Sequence, residues 1–431
     1  MTRARLAVLA VLSAFATAAV LAHAGAGPRP ALAAALLQRA ALVRPPAPAP
    51  VAVATAAPVP VADARAAGPS APAPVVPAAP APVVPPTPAE AAAPPTPTPT
   101  PTPTPAPAKP SRIGHVFVIA LTGPGYQATF GPGSPATYLT GQLRPAGALL
   151  SAFAPVDGAD LPNYLAFAGG QPPNAATRSE CATYADFPSD AAPGKDGVLA
   201  GDGCIYPNTV LSIGDQISSS GGQWRAYAED LGAGPAAAAS CRHPVVGGAD
   251  DTLTDRPGDG YATRHNPFVY FHSLLDLSDC QADDLPLDRL TTDLGSANTT
   301  PRLAFIAPDL CDSGSAIPCA DGRPGGLATA DAFLAKWVPA ILASAAYKRD
   351  GLLIVSFLSG PAPNPGPARP APTGTLLLSR FAQPGSLYAK SYDPYSLLRS
   401  IEDLLALKPL AKAAGADSFA RVALRAAFAG G

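Results

Sequence analysis

From Gly27 to about Pro110 the chain is almost entirely Ala, Pro, Val and Thr, and it ends in the run Pro95-Thr-Pro-Thr-Pro-Thr-Pro-Thr-Pro-Thr-Pro105. Proline has no backbone donor and a fixed φ, so this stretch cannot build a helix or a sheet ladder. The composition predicts an extended spacer of the polyproline II kind, residues 28–111, rising about 3.1 Å per residue where proline is dense. Everything that packs must therefore come from the remainder, residues 112–431.

Ahead of the spacer, residues 1–27 carry Arg3 and Arg5, an apolar run from Leu6 to Ala22, and the small-residue stretch Ala22-His23-Ala24. A positive flank, a short apolar core and small residues at a cleavage point predict a secretory signal peptide. The run is at the short limit for a bilayer-spanning helix, so the alternative is an uncleaved N-terminal anchor tethering the chain to a membrane. Both readings export the rest of the chain, to the cell surface or beyond.

The remaining third domain is long enough for one sizeable core. The net charge of −2 and a charged fraction of 14% leave no basic patch, which removes electrostatic support for nucleic-acid binding. All six cysteines lie here: Cys181, Cys204, Cys241, Cys280, Cys311 and Cys319. An even count in an exported chain points to disulfides. Sequence order favours Cys181–Cys204, Cys241–Cys280 and Cys311–Cys319, although six cysteines allow fifteen pairings. No Cys-x-x-Cys or His-x-x-x-His spacing supports a zinc site instead.

Short apolar runs rich in branched residues recur at 116–121, 149–156, 267–271, 303–307, 352–357 and 375–378. Runs that are apolar throughout predict strands covered on both faces. Helix-like stretches fall between them, at 209–218, 285–294, 329–346, 395–407 and 417–428, with Lys348-Arg349-Asp350-Gly351 as a helix stop. Strands alternating with helices predict an α/β domain, a layered central mostly parallel sheet with helices on both faces. Loops such as 361–372, rich in Pro, Gly and Ala, read as surface connectors.

Seven phrases then stand in a telling order: His115-Val-Phe-Val-Ile, Leu161-Pro-Asn-Tyr-Leu-Ala-Phe-Ala-Gly-Gly, Trp224-Arg-Ala-Tyr-Ala-Glu-Asp, Arg264-His-Asn-Pro-Phe-Val-Tyr-Phe, Phe305-Ile-Ala-Pro-Asp-Leu-Cys, Gly351-Leu-Leu-Ile-Val and Tyr395-Ser-Leu-Leu-Arg-Ser-Ile-Glu-Asp. Together they resemble the bacterial phosphoesterase family of acid phosphatases and phospholipase-C-like enzymes. The resemblance spans Ile113 to Leu407 and implies an alkaline-phosphatase-like fold and metal-assisted hydrolysis of phosphate esters. Such chemistry requires anionic or imidazole ligands around divalent cations, with a hydroxyl nucleophile beside them.

At each place where the resemblance implies such a group, this chain departs from it. Thr122 and Gly123 stand where a Glu-Asn pair is expected after the first strand, and Gly158-Ala159-Asp160 replaces His-Pro-Ser. Asp312-Ser-Gly-Ser-Ala follows Cys311 in place of a His-Asp pair. Phe357-Leu358-Ser359 replaces Trp-Asp-Glu, and Pro394 replaces a histidine. Beyond Ala24 the only histidines are His115, His243, His265 and His272.

The surviving candidates are few. Asp157 and Asp160 are the acids nearest the expected site, as an aspartyl nucleophile or a carboxylate pair, or else as loop and helix-cap residues. Thr122, Gly123, Asn163, His265, Asn266 and Asp331 are expected to line a pocket; the stretch His265-Asn266-Pro267 also suits a turn, and Asp331 a helix cap. Glu229-Asp230 and Glu402-Asp403 suit helix or strand ends. Asp250, Asp251 and Asp255 lack the regular spacing of an EF-hand loop.

The expectation is therefore an exported phosphoesterase-family protein that has lost metal-dependent hydrolysis. It would act by binding a small ligand or as a cell-envelope component, with no cofactor. The alternative is an active esterase rearranged around Asp157, Asp160 and His265, which would need a divalent metal.

Overall fold

The computed structural model describes residues 111–234, 239–360 and 370–428. The expected leader, nearly all of the spacer and most of the loop 361–372 lie outside the described residues.

Eight strands form one sheet: β1 (His115–Thr122), β2 (Ala148–Leu150), β3 (Trp224–Ala228), β4 (Asp284–Pro286), β5 (Leu303–Ala307), β6 (Gly351–Ser359), β7 (Thr375–Leu378) and β8 (Leu387–Tyr388). Their spatial order is β4-β3-β5-β1-β6-β7-β2-β8. The five strands from β4 to β6 run parallel, β7 lies antiparallel to both β6 and β2, and β8 pairs parallel with β2. The mostly parallel sheet expected from the apolar runs is thus present.

Strand side chains alternate between faces, and β1 shows why both faces are apolar. Val116, Val118 and Ala120 enter one core with Leu161, Tyr164 and Phe167 of helix α1 (Asp160–Gly169) and Leu397, Leu398 and Ile401 of helix α3 (Pro394–Leu405). Phe117, Ile119 and Leu121 enter the other, against Leu327, Phe333, Leu334 and Val338 of helix α2 (Leu327–Ala343). A strand sandwiched in this way must be apolar at every position, and β1 is buried from His115 to Leu121.

Some expectations need correction. The run 267–271 is not a strand but a 3-10 turn over Pro267–Tyr270, fully buried. Its apolarity reflects burial alone, and Pro267 could not have donated to a sheet ladder. Conversely, β3 sits between β4 and β5 although Arg225 interrupts its apolar pattern; that guanidinium is neutralised by Asp293 and lies 3.8 Å from Asp283. The stretch 149–156 is extended only as far as Leu150, and 285–294 opens as β4 before a short helix over Arg289–Asp293. The long helix predicted to Ala346 stops at Ala343, where Ser344 turns the chain and caps a second helix, Ala345–Asp350, through a bond from the Tyr347 N–H. The segment 417–428 forms only two short turns, Ala420–Ala423 and Arg425–Ala427.

The six cysteines pair as Cys181–Cys204, Cys241–Cys280 and Cys311–Cys319. Three disulfides, with no free cysteine among the described residues, fit an oxidising extracytoplasmic setting. Among the described residues no helix is long and apolar enough to cross a membrane.

Phe305 in the middle of β5 stacks on Phe167 (5.2 Å between centroids) and meets Tyr164 and Phe268 edge-on. Phe305→Ala should therefore destabilise the domain by about 3–5 kcal/mol, read as a lower denaturant midpoint. A shift below about 1 kcal/mol would show that this aromatic cluster is not the centre of the core.

Candidate functional site

A cavity of about 670 Å³ opens at the carboxyl ends of the central strands. In a parallel α/β sheet this is where ligands bind. Thr122 at the end of β1, Gly123 after it, Gly360 after β6, Asp160 on the first turn of α1, Glu180 and Arg264 all line it. The end of β1 is irregular: the pairing register shifts between Leu121 and Thr122, so Thr122 faces Ser359. Their hydroxyls lie 2.9 Å apart. One wall is the loop closed by Cys311–Cys319. Gly314 (φ +94°) lies in it so close to the end of β1 that a Cβ would come within 2.2 Å of the Thr122 carbonyl oxygen.

Asp160 is the centre of the polar part. Its Oδ2 lies 3.1 Å from His265 Nε2 and 3.3 Å from Arg264 Nε. Burial alone would raise this carboxyl, but the His265 bond, the Arg264 charge and the nearby Ser359 hydroxyl outweigh it and hold it below the usual carboxylate range. Burial drives His265 the other way, below the ordinary imidazole value. The consistent assignment is an ionised Asp160 compensated by the permanent charge of Arg264, with a neutral imidazole donating from Nε2. The His265 ring stacks on Tyr164 at 5.1 Å, with its other side toward the Pro308 carbonyl.

Glu180, which no motif marks, sits beside Asp160. The start of α1 has no side-chain cap of its own. Instead the backbone N–H groups of Asp160 and Leu161 donate to Glu180 Oε1 (2.6 Å) and Oε2 (2.8 Å). A helix N-terminus presents unpaired amides and a positive dipole end, which together attract anions. Here the chain's own carboxylate fills that place. Glu180 and its neighbour Cys181 both adopt left-handed backbone (φ 55° and 53°), which is costly for residues with a Cβ. The Cys181–Cys204 bridge comes directly after Glu180 in the chain. Burial first, then the Asp160 charge, push the Glu180 carboxyl up to about 7.

The other residues singled out in the sequence serve the loops. Asp157 accepts from the Ala159 N–H and pairs with exposed Arg178 at 2.8 Å. Asn163 accepts from the Val156 and Asp157 N–H groups and donates to the Asp157 and Ala159 carbonyls, which clasps the loop before α1. Asn266 donates to Asp284 and Tyr261 in the interior. Asp331 accepts from the Tyr138 and Leu139 N–H groups at 2.8 Å each, a helix cap in trans. Asp157, Asn163, His265, Asn266 and Asp331 are not among the residues lining the cavity, whereas Thr122, Gly123 and Asp160 are. Glu402 accepts from the Leu410 N–H, Asp403 pairs with Arg399, and Asp250 closes a turn onto Thr252.

The divalent metal that the resemblance implies can be tested against these donors. Asp160 spends Oδ2 on His265 and Arg264, and Glu180 spends an oxygen on each of two amides. The ends of β1 and β6 add only Thr122, Gly123 and Ser359, and the acids after β3 and β5 do not line this cavity, so its residue set does not fit a two-cation centre. Among the described residues one group, Asp309, Cys311 and Asp312, brings three metal-capable side chains within 4.8 Å, but the Cys311 sulfur is bonded to Cys319. Asp309 lines a second cavity of about 170 Å³ with Asp230 and Asp255. Nearby Glu229 is pushed up to about 8 by burial and by the charges of Asp309 and Asp312.

The layered sheet and the cavity at its strand ends define an α/β scaffold with its ligand side at the carboxyl ends of the strands. A profile of the Phosphoesterase family matches residues 136–408, and the chain belongs to that family. β1 and its loop precede the matched residues. Among solved structures the chain is similar to a protein in the alkaline phosphatase superfamily from Vibrio parahaemolyticus, at 10% identity over 71% of this chain and 70% of that one, TM-score 0.39. It is also similar to a 2-O GAG sulfatase, at 10% identity over 73% and 74%, TM-score 0.40. A phosphonate monoester hydrolase from Silicibacter pomeroyi matches at 12% identity over 73% and 77%, TM-score 0.35. No curated protein matches the sequence.

Buried acids give the fold a pH signature. Glu180, Glu229, Asp284, Asp309 and Glu402 are pushed up to about 7, 8, 7, 6 and 8, in each case chiefly by burial. A carboxyl raised by folding contributes stability that is complete below its unfolded pKa and is lost as pH rises through its folded value. His272, raised by Asp186 and Asp276 against its burial, acts in the same direction, whereas neutral His265 opposes it at low pH. The melting temperature should therefore be higher at about pH 5 than at about pH 8.5, by calorimetry or circular dichroism. A temperature that climbs with pH over this range would contradict the assignment.

Proposed function

We propose that the protein is a phosphoesterase-family member that binds a small ligand at the cell envelope and does not hydrolyse phosphate esters with a metal. The observation that carries this reading is Glu180: its carboxylate holds both amides at the start of α1, where a phosphoryl group would otherwise be received. Asp160 and Arg264 compensate each other in the same cavity, so the guanidinium that could receive a phosphate is already paired. On this reading residues 1–27 export the chain, residues 28–111 space it from the surface, and residues 112–431 present the cavity. The three disulfides support the extracytoplasmic part of the reading.

The contact between Asp160 and His265 favours a second reading, a rearranged hydrolase. The order of the groups opposes it. In a working hydroxyl–imidazole–carboxylate relay the imidazole touches the hydroxyl. Here the carboxylate lies beside the Ser359 hydroxyl with the imidazole behind it, and a carboxylate held this far below its usual range is a feeble base.

Purified protein supplied with Mg²⁺, Mn²⁺, Ca²⁺ or Zn²⁺ should release no chromophore from aryl phosphate mono- or diesters above background. Metal-dependent turnover that disappears in Asp160→Asn would establish the hydrolase reading instead.

A further inference from the structure

We propose that the cavity at the strand ends takes a ligand with an apolar body and a protonated amine, the ammonium seated against the carboxylates of Asp160 and Glu180. This deepens the binding reading above and rests on it.

Two features of the cavity would ordinarily draw an anion, and both already hold acceptors from the chain. The amides at the start of α1 donate to Glu180. Arg264, buried to 5% exposure, gives Nε to Asp160 and Nη1 to the Leu253 carbonyl at 3.0 Å. An incoming phosphate or carboxylate would meet two carboxylates and one guanidinium that is already paired.

Charge counting then favours a cation. Two carboxylates of the wall, Asp160 and Glu180, share the single guanidinium of Arg264, which is bonded to Asp160, so the wall carries an excess of negative charge when Glu180 is ionised. The upward shift of Glu180 has the same origin: burial and the Asp160 charge penalise its ionised form. A carboxylate has about four lone-pair sites, and Glu180 has committed one on each oxygen. Asp160 takes bonds from His265, Arg264 and the Ser359 hydroxyl, which leaves about one of its lone-pair sites open. An ammonium, with three donors and no acceptor, complements these free positions.

The rest of the wall is apolar. Pro124, Ala128, Pro135, Leu253, Ile317 and Leu327 line it, and Ile317 is 43% exposed, more than a packing role requires. A volume of about 670 Å³ suits a ligand of drug-like size.

Isothermal titration of the full chain with n-octylammonium, n-octanol and n-octyl phosphate tests the inference. Octylammonium should bind at least tenfold more tightly than octanol, and octyl phosphate more weakly than either. Glu180→Gln should weaken octylammonium by about thirtyfold. Should that variant fail to fold, Ser179→Lys keeps the test open: Ser179 is exposed at the cavity wall, and an added ammonium there should cost octylammonium a similar factor. Octyl phosphate binding as tightly as octylammonium, no octylammonium binding, or unchanged binding in a folded variant would each overturn the amine assignment. Release of inorganic phosphate from octyl phosphate in the same samples would instead overturn the non-hydrolytic reading beneath it.

Discussion

The architecture of the cavity depends on one contact, the carboxylate of Glu180 across the first amides of helix α1. A buried helix end must satisfy its amides somehow, and Ala159, the residue at the cap position, has nothing to offer. Glu180 reaches the helix from a strained left-handed turn fixed in the chain by the Cys181–Cys204 bridge. Its negative charge then pushes against Asp160, which is kept ionised by Arg264 and His265. Remove the cap and the helix start, the charge balance and the shape of the cavity all change together.

The sheet is legible because burial on both faces imposes a simple rule on sequence. β1, β5 and β7 read as apolar runs, and β6 as one interrupted only by Ser356. The rule fails where a polar residue is neutralised locally, as Arg225 is by Asp293 in β3. It also fails where an apolar run is buried without being extended, as in Pro267–Tyr270. Neither case can be resolved until the neighbouring segments are placed.

The site is half legible. Thr122, Gly123 and Asp160 can be located at the strand ends because each comes directly after an apolar strand or just before a helix. Glu180 cannot, since it caps a helix that begins twenty positions earlier in the chain, and no local pattern encodes such a contact. Arg264 does carry a signal: it heads a phrase that runs into the apolar stretch Pro267–Phe271, and a guanidinium buried there is costly unless it has a partner. Asn163 and Asp331 are recognisable as polar residues in apolar surroundings, but their bonds to backbone amides make them fasteners of loops.

The arrangement of Glu180, Asp160 and Arg264, two carboxylates around one guanidinium, also bears on what single substitutions can do. Deleting the Glu180 carboxylate would bare the helix amides, yet Asp160 would still stand on the same turn and repel any phosphate that approached. Deleting Asp160 would liberate Arg264 but leave the amides occupied. Neither deletion by itself turns this arrangement into an anion receptor.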